Sequence, residues 1–271
     1  MSVPTCYVCA TPIGNLYDVS SRLLSTLDSV HTIFSEDTRV SRVLLNHYSI
    51  STPLISLQQF NEKSRVAMAL DLLNQGHDIA VISDAGTPCI SDPGALLVQE
   101  LRENGHPISP IPGPSALTSL LSVAGVSLYA FYFGGFFPRL VSERTERLAQ
   151  LRQMECPGVF FESPNRLISS IEHIATLYPG AHLVLGKEIT KHFESFFIGT
   201  PASILTQLDT TLAKGEWCFL IQLPLPQKSD LEEVLAALHA EGLTKAQLKS
   251  VATKVLNYPR NDVYRAVESI M

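Results

Sequence analysis

At 271 residues the chain is long for one domain and comfortable for two. Hydrophobic residues make up 45% and charged residues 17%, and no run of about eighteen apolar residues exists, which argues against a membrane span. The formal net charge of −6 excludes a wholly electrostatic nucleic-acid binder: either the cations are concentrated locally or the ligand is small.

The first residues, Met1-Ser2-Val3-Pro4-Thr5, carry no basic stretch followed by an apolar one, so a secretory signal is not expected and the expected location is the cytoplasm. Cys6 and Cys9 form a C-x-x-C, but they lie in an apolar segment that reads as a strand, with no second pair at a zinc-site spacing. They are expected to be buried thiols. Short apolar runs at 7–10, 32–35, 54–57, 79–83 and 108–111 read as strands, separated by segments of helical spacing such as Val66, Leu70 and Leu73, or Leu97 and Leu101. Asp92 is the expected cap and Pro93 the first-turn residue of the last of these helices. Such alternation predicts an α/β domain with a largely parallel sheet.

A second α/β unit is expected to begin near 119–125, with strands at 131–133, 159–161, 182–185 and 219–223. A helix carrying Leu167, Ile168, Ile171 and Ile174 on one face lies between the second and third. Gly134-Gly135 reads as a hinge or as a plain turn, and Arg139, Arg144, Arg147 and Arg152 form a local cluster of cations. From Ser229 the pattern changes. Ser229-Asp230-Leu231-Glu232 reads as a capping box, Thr244 opens a second helix, and a third begins near Asn261. The last two resemble a helix-turn-helix and carry Lys245, Lys249, Lys254, Arg260 and Arg265. Such a module can be a nucleic-acid reader, a dimer contact or a lid.

The polar and Gly/Pro-rich motifs follow the strands in series. Thr11-Pro12-Ile13-Gly14-Asn15 follows the first, Glu36-Asp37-Thr38-Arg39 the second, and Asn61-Glu62 comes shortly after the third. Asp84-Ala85-Gly86-Thr87-Pro88 follows the fourth and Pro112-Gly113-Pro114-Ser115 the fifth. In open α/β sheets the ligand crevice lies at the carboxyl ends of the strands, which is where these loops fall. There is no G-x-G-x-x-G, no P-loop, no G-x-S-x-G elbow and no histidine at a zinc-binding spacing, so dinucleotide, NTP, hydrolase and metalloenzyme readings lose support. A ligand recognised largely through main-chain groups fits what is left.

These motifs, with Ser83, Ser91-Asp92-Pro93-Gly94, Ala116, Gly135-Phe136-Phe137-Pro138, Phe161-Glu162-Ser163-Pro164, Arg166 and Lys187-Glu188-Ile189-Thr190-Lys191, resemble in order those of the tetrapyrrole methylase superfamily. Within it the chain is similar to the bacterial 16S rRNA cytidine 2′-O-ribose methyltransferases, from about residue 6 to the C-terminus. Porphyrin-precursor methylases of the same fold usually open with a Gly-rich loop where this chain has Ala10-Thr11-Pro12-Ile13-Gly14-Asn15, which favours the RNA branch. The resemblance implies a class III methyltransferase: two α/β domains (1–117 and 118–226) with S-adenosylmethionine in the cleft between them, a small helical module (229–271), and a homodimer. It implies a cytidine ribose in the decoding region of 16S rRNA, or of the 30S subunit, as the target, and no metal or membrane. A tetrapyrrole or other small-molecule acceptor, or a SAM-binding ribosome-assembly factor, are the alternatives.

On this resemblance the cofactor is expected against Pro12, Ser83, Asp84, Ala85, Gly86, Ser115, Ala116, Phe161 and Glu162. Glu36, Asp37 and Glu62 are candidate bases for a ribose hydroxyl, and Arg39 and Lys187 candidate cations for phosphate or alkoxide. Arg139, Arg166 and Lys191 are expected to bind substrate. Gln58 and Phe60 stand where relatives often carry histidines, Asn165 where histidine often precedes the arginine, and Ile198 where many relatives have arginine. A mechanism with histidine as base at those positions does not carry over.

Overall fold

A computed structural model describes residues 3–208, 214–224, 231–256 and 258–270. The chain divides into two compact units, Met1–Pro224 and Leu225–Met271. The first unit holds two five-stranded sheets.

In the first sheet, β1 (Cys6–Cys9), β2 (Thr32–Ser35), β3 (Leu54–Ser56), β4 (Ile79–Ile82) and β5 (Ile108–Ile111) are arranged β3-β2-β4-β1-β5, every pair parallel. Side chains alternate across each strand, and both faces are covered. Cys9, Ile33, Ala80 and Ile82 pack against α1 (Ser21–Ser29) and α2 (Thr38–His47). Cys6, Phe34, Ile79 and Val81 pack against α3 (Glu62–Asn74) and α4 (Ala95–Glu103) on the other side. Both cysteines of the C-x-x-C are free and buried, and burial pushes the Cys9 thiol up to about 12. The neighbours β1 and β4 therefore send their following helices to opposite faces, the switch point at which open α/β sheets form a crevice.

The start of α4 differs from expectation. Asp92 does not cap it; the helix begins at Ala95 behind Gly94, whose φ of 117° is the left-handed conformation that glycine adopts without strain. The acceptor comes from elsewhere in the chain: Glu62 Oε1 accepts from the backbone N–H groups of Gly94 and Leu97, each at 3.1 Å. Glu62 is buried, and its charge sits at the positive end of the helix.

The second sheet is mixed rather than largely parallel. Its strands are β6 (Tyr132–Phe136), β7 (Gly158–Glu162), β8 (His182–Lys187), β9 (Ser195–Gly199) and β10 (Trp217–Gln222), ordered β6-β7-β10-β8-β9. Only β6 and β7 run parallel. One face packs on α6 (Val141–Met154), α7 (Pro164–Leu177) and α8 (Pro201–Leu205) through Phe160, Leu183, Leu185 and Phe219. The other packs on α5 (Ala116–Val123) through Val159, Val184, Cys218 and Leu220, joined by Ile13 from the loop after β1. Gly134 and Gly135 are neither hinge nor simple turn: they lie inside β6, where the register shifts between Phe133 and Phe136. A Cβ on Gly134 would come within 2.2 Å of the Phe160 ring.

The arginine cluster on α6 turns inward. Arg144 is buried and donates to Pro138 O at 2.8 Å, Arg147 bonds the Tyr132 hydroxyl, and Arg152 lies over the Tyr178 ring. The second unit contains α9 (Leu231–Ala240), α10 (Lys245–Lys254) and α11 (Arg260–Ile270) around Leu235, Leu248, Val263 and Val267. Thr244 and Gln247 form a capping box at the start of α10; the one expected at Ser229-Asp230 lies outside the described residues. Among the described residues no helix is long and apolar enough to cross a membrane.

Glu62→Ala leaves two buried N–H groups without an acceptor, and is expected to cost about 2–3 kcal/mol in denaturant titration. Glu62→Gln keeps an acceptor oxygen and should lose only about 1 kcal/mol.

Candidate functional site

The loops after β1 and β4 are joined by a short antiparallel bridge. Thr11 N–H donates to Gly86 O at 2.9 Å and Gly86 N–H to Thr11 O at 3.1 Å. The Thr11 hydroxyl adds a bond to Ser83 O at 3.1 Å, and Ser83 Oγ reaches Gly86 O at 3.3 Å. Gly86 has φ +82°, so a side chain is disfavoured there even before its contact with Ile13. From this bridge the chain runs through Cys89 and Ser91, both at positive φ, to Gly94, where Glu62 fixes its far end.

Two adjoining cavities lie on either side of the bridge. The larger, about 660 Å³, is lined from the first sheet by Glu36, Asp84, Ala85, Gly86 and Asp92, and by Ser115, Ala116 and Leu117 at the start of α5. Phe136, Phe161, Glu162, Gly186, and Gly215 through Cys218 line it from the second sheet. The smaller, about 440 Å³, is lined by Thr11, Pro12, Gly14, Leu16, Val40, Ser41, Val43, Leu44, Ser83 and Lys191. Ile13, Asp84, Ala85 and Glu216 belong to both.

Electrostatics distinguishes the larger cavity. Its described lining carries five carboxylates (Glu36, Asp84, Asp92, Glu162 and Glu216) and no lysine or arginine. Burial raises the Glu36 carboxyl above its ordinary value, and the charges of Asp84 and Asp92 raise it further. Asp84 and Asp92 are raised as well, in both cases first by burial. Asp84 also accepts from the Asp37 N–H at 2.9 Å, which ties the β2 loop to the β4 loop. A cavity of this size, with apolar walls, crowded carboxylates and exposed loop backbone, suits a cationic, partly apolar small molecule. A phosphate-bearing ligand would be repelled.

The expected cofactor residues converge here. Asp84, Ala85, Gly86, Ser115, Ala116, Phe161 and Glu162 line the larger cavity, while Pro12 and Ser83 line the smaller. The Glu162 carboxylate is already used, however: Oε2 accepts from Ser170 Oγ at 2.7 Å, and Oε1 from Ser163 N–H at 2.7 Å and Arg166 at 2.5 Å. Arg166 spends its remaining donors on Ser163 Oγ at 2.9 Å and Phe137 O at 3.4 Å, so it braces the cavity wall instead of offering a free cation.

The expected catalytic residues separate. Of the three candidate bases only Glu36 lines the cavity. Asp37 caps α2 and pairs with Arg39 through both oxygens, and chiefly these side-chain hydrogen bonds lower its carboxyl to about 2. So acidic a group is a poor proton acceptor. Glu62 is the α4 cap described above. Lys187 shares its strand face with Leu183 and Leu185, opposite Gly186, and its ammonium lies 5.8 Å from the Trp217 ring centre, so it does not line either cavity. Arg39 and Arg139 are exposed. Lys191 lines the smaller cavity, its stem across Gly14 and its ammonium bridging Glu188 at 3.0 Å and Glu216 at 2.9 Å.

Sequence reasoning missed Asp92 as a lining group and the whole stretch from Gly215 to Cys218. The latter precedes and opens β10, which runs antiparallel to its neighbours and so brings its amino end to the cavity. A rule built on carboxyl ends of parallel strands passes over it. Gln58, at one of the positions where relatives often have histidine, donates its amide to Glu36 O at 3.3 Å.

A model of the tetrapyrrole (corrin/porphyrin) methylases matches residues 5–205. Ribosomal RNA small subunit methyltransferase I of Neisseria meningitidis serogroup A is 38% identical over 267 residues, covering 96% of this chain and 91% of the relative. The protein of the same name from Bacillus subtilis strain 168 is 33% identical over 270 residues, covering 96% and 92%. Among solved structures, a diphthine synthase superposes with a TM-score of 0.65 at 11% identity over 81% of this chain and 89% of that one. The methyltransferase CobJ gives 0.60 at 17% identity over 82% and 95%. At such identities the structures establish the fold, and the sequence relatives establish the family. The chain is a methyltransferase of the tetrapyrrole methylase superfamily, and within it belongs to the family of the ribosomal RNA small subunit methyltransferase I proteins.

Proposed function

We propose that this protein transfers a methyl group from S-adenosylmethionine to the ribose 2′-hydroxyl of a cytidine in the decoding region of 16S rRNA. The observation that carries the cofactor assignment is the larger cavity, with its five carboxylates and no described cation. S-adenosylmethionine is a sulfonium with an ammonium group and an apolar adenosyl body, and bound there it would supply an activated methyl group. The substrate assignment rests on the relatives, whose name states a small-subunit ribosomal RNA methyltransferase.

In this reading Asp84, Ala85 and Gly86 present carboxylate and backbone groups to the cofactor, Ser115 and Ala116 present the unpaired N–H groups of the first turn of α5, and Phe136 and Phe161 exclude water. The chain's main contribution is alignment of the hydroxyl with the methyl group, worth about 7–11 kcal/mol in favourable systems. Glu36 receives the hydroxyl proton. Its raised pKa brings it closer to that of a working base than an ordinary carboxylate. Asp84, at the boundary of the two cavities, keeps the region negative as proton and methyl move.

Purified protein is expected to methylate 30S subunits that lack the modification, and nucleoside analysis should return 2′-O-methylcytidine. Methyl transfer to a tetrapyrrole but not to RNA would replace this reading, as would cofactor binding with no transfer. Glu36→Gln is expected to lower kcat about 100-fold while the affinity for S-adenosylmethionine changes little. The wild-type rate should fall on acidification with an apparent pKa above the ordinary glutamate value, and that limb should be absent in the variant. Because the folded pKa of Glu36 lies above the unfolded one, the ionised form strains the fold. The native state loses stability as pH rises through that window, so Glu36→Gln should melt higher than wild type at pH 7.

A further inference from the structure

The smaller cavity contains an unpaired polar group. Ser41 on α2 is buried, at 3% exposure, yet its Oγ has no hydrogen-bond partner. A serine or threonine inside a helix ordinarily bonds back to a carbonyl one turn earlier. Thr145, Thr176 and Thr253 do so in this chain, to Val141, Glu172 and Lys249. A buried hydroxyl left without a partner is a standing cost to the fold, and such groups call for a ligand or a function.

The surroundings of Ser41 define what such a ligand would be. Val40 and Val43, on the same helix, are 46% and 60% exposed, and with Leu16 and Leu44 they give the cavity an aliphatic wall. The charged lining groups are Asp84, Glu216 and Lys191, and Lys191 is already held by Glu188 and Glu216. The cavity is thus unfavourable for phosphate and favourable for a neutral group with apolar faces and a hydrogen-bonding edge. It meets the cofactor cavity along Ile13, Asp84, Ala85 and Glu216.

We propose that this cavity receives the target nucleoside, turned out of the RNA. Its base lies against Val40 and Val43 with a polar edge on the Ser41 hydroxyl, its ribose faces the shared wall at Asp84 and Ala85, and its phosphates stay outside. Enzymes that modify nucleotides commonly extrude them, and sequence-specific RNA recognition reads unstacked bases by their faces and edges. The inference rests on the reading of RNA ribose as methyl acceptor.

Two variants test it in the full chain with unmodified 30S subunits. Ser41→Ala removes the unpaired hydroxyl, and is expected to leave the melting temperature unchanged or higher while kcat/KM for the subunit falls about tenfold, one hydrogen bond's worth. Val43→Trp fills the cavity from an exposed position, and is expected to lower kcat/KM by roughly 100-fold, with the affinity for S-adenosylmethionine within about twofold of wild type in both variants. Unchanged kcat/KM in both variants, with an active wild type, overturns the nucleoside assignment alone. A parallel loss of cofactor affinity overturns it too, by assigning the cavity to the cofactor. A wild type that transfers nothing to RNA removes the parent reading and this one with it.

Discussion

The reciprocal hydrogen bonds between Thr11 and Gly86 are the constraint on which the site depends. They continue the pairing of β1 with β4 beyond the sheet, at the point where the two strands send their chains to opposite faces. Without them the loops after β1 and β4 would be two separate turns. With them, Pro12, Ile13, Ser83 and Ala85 become one ridge with a cavity on each side. Positive φ at Cys89 and Ser91 costs the chain stability, and the loop tolerates it because both of its ends are tied, one at the bridge and one at the Glu62 cap. Glu62 thereby shapes the site from outside it.

Charge is distributed so that each region excludes a different class of ligand. The larger cavity collects carboxylates, which raise one another's proton affinity and would repel any phosphate. The arginines of α6 are consumed by Pro138, Ser169, Tyr132 and Tyr178 and add nothing to an RNA-facing surface. On α10 and α11, Lys249 and Arg260 lie over the Tyr264 ring, and Arg265 pairs with Asp262. A net charge of −6 is therefore compatible with an RNA substrate, since recognition through a cavity requires uncharged contacts and not a basic face.

Much of this was legible in the residues. The period of the apolar runs located all five strands of the first sheet, and the series of Gly/Pro-rich motifs marked the loops that line the cavities. Glu62 was misleading because a carboxylate at the start of α3 caps a helix that begins 33 residues later, a pairing no local pattern encodes. Lys187 was a missed inference: alternation from Leu183 and Leu185 places it on the face away from Gly186. The edge strand β9 and the amino end of β10 were hidden because the second sheet abandons the parallel rule that made the first one readable. The unpaired Ser41 hydroxyl is invisible in sequence, where a serine on a helix reads as ordinary.

The central claim is that the bridged loops build the cofactor cavity, and Gly86→Ala tests it most directly. Its Cβ would sit 3.3 Å from Ile13 Cγ2 on a backbone with φ +82°, in the ridge between the cavities and away from any charged group proposed to act. Calorimetric titration of S-adenosylmethionine should show binding to wild type and a loss of about tenfold or more in the variant, with the circular dichroism spectrum retained. Equal affinity in the two proteins would contradict the account.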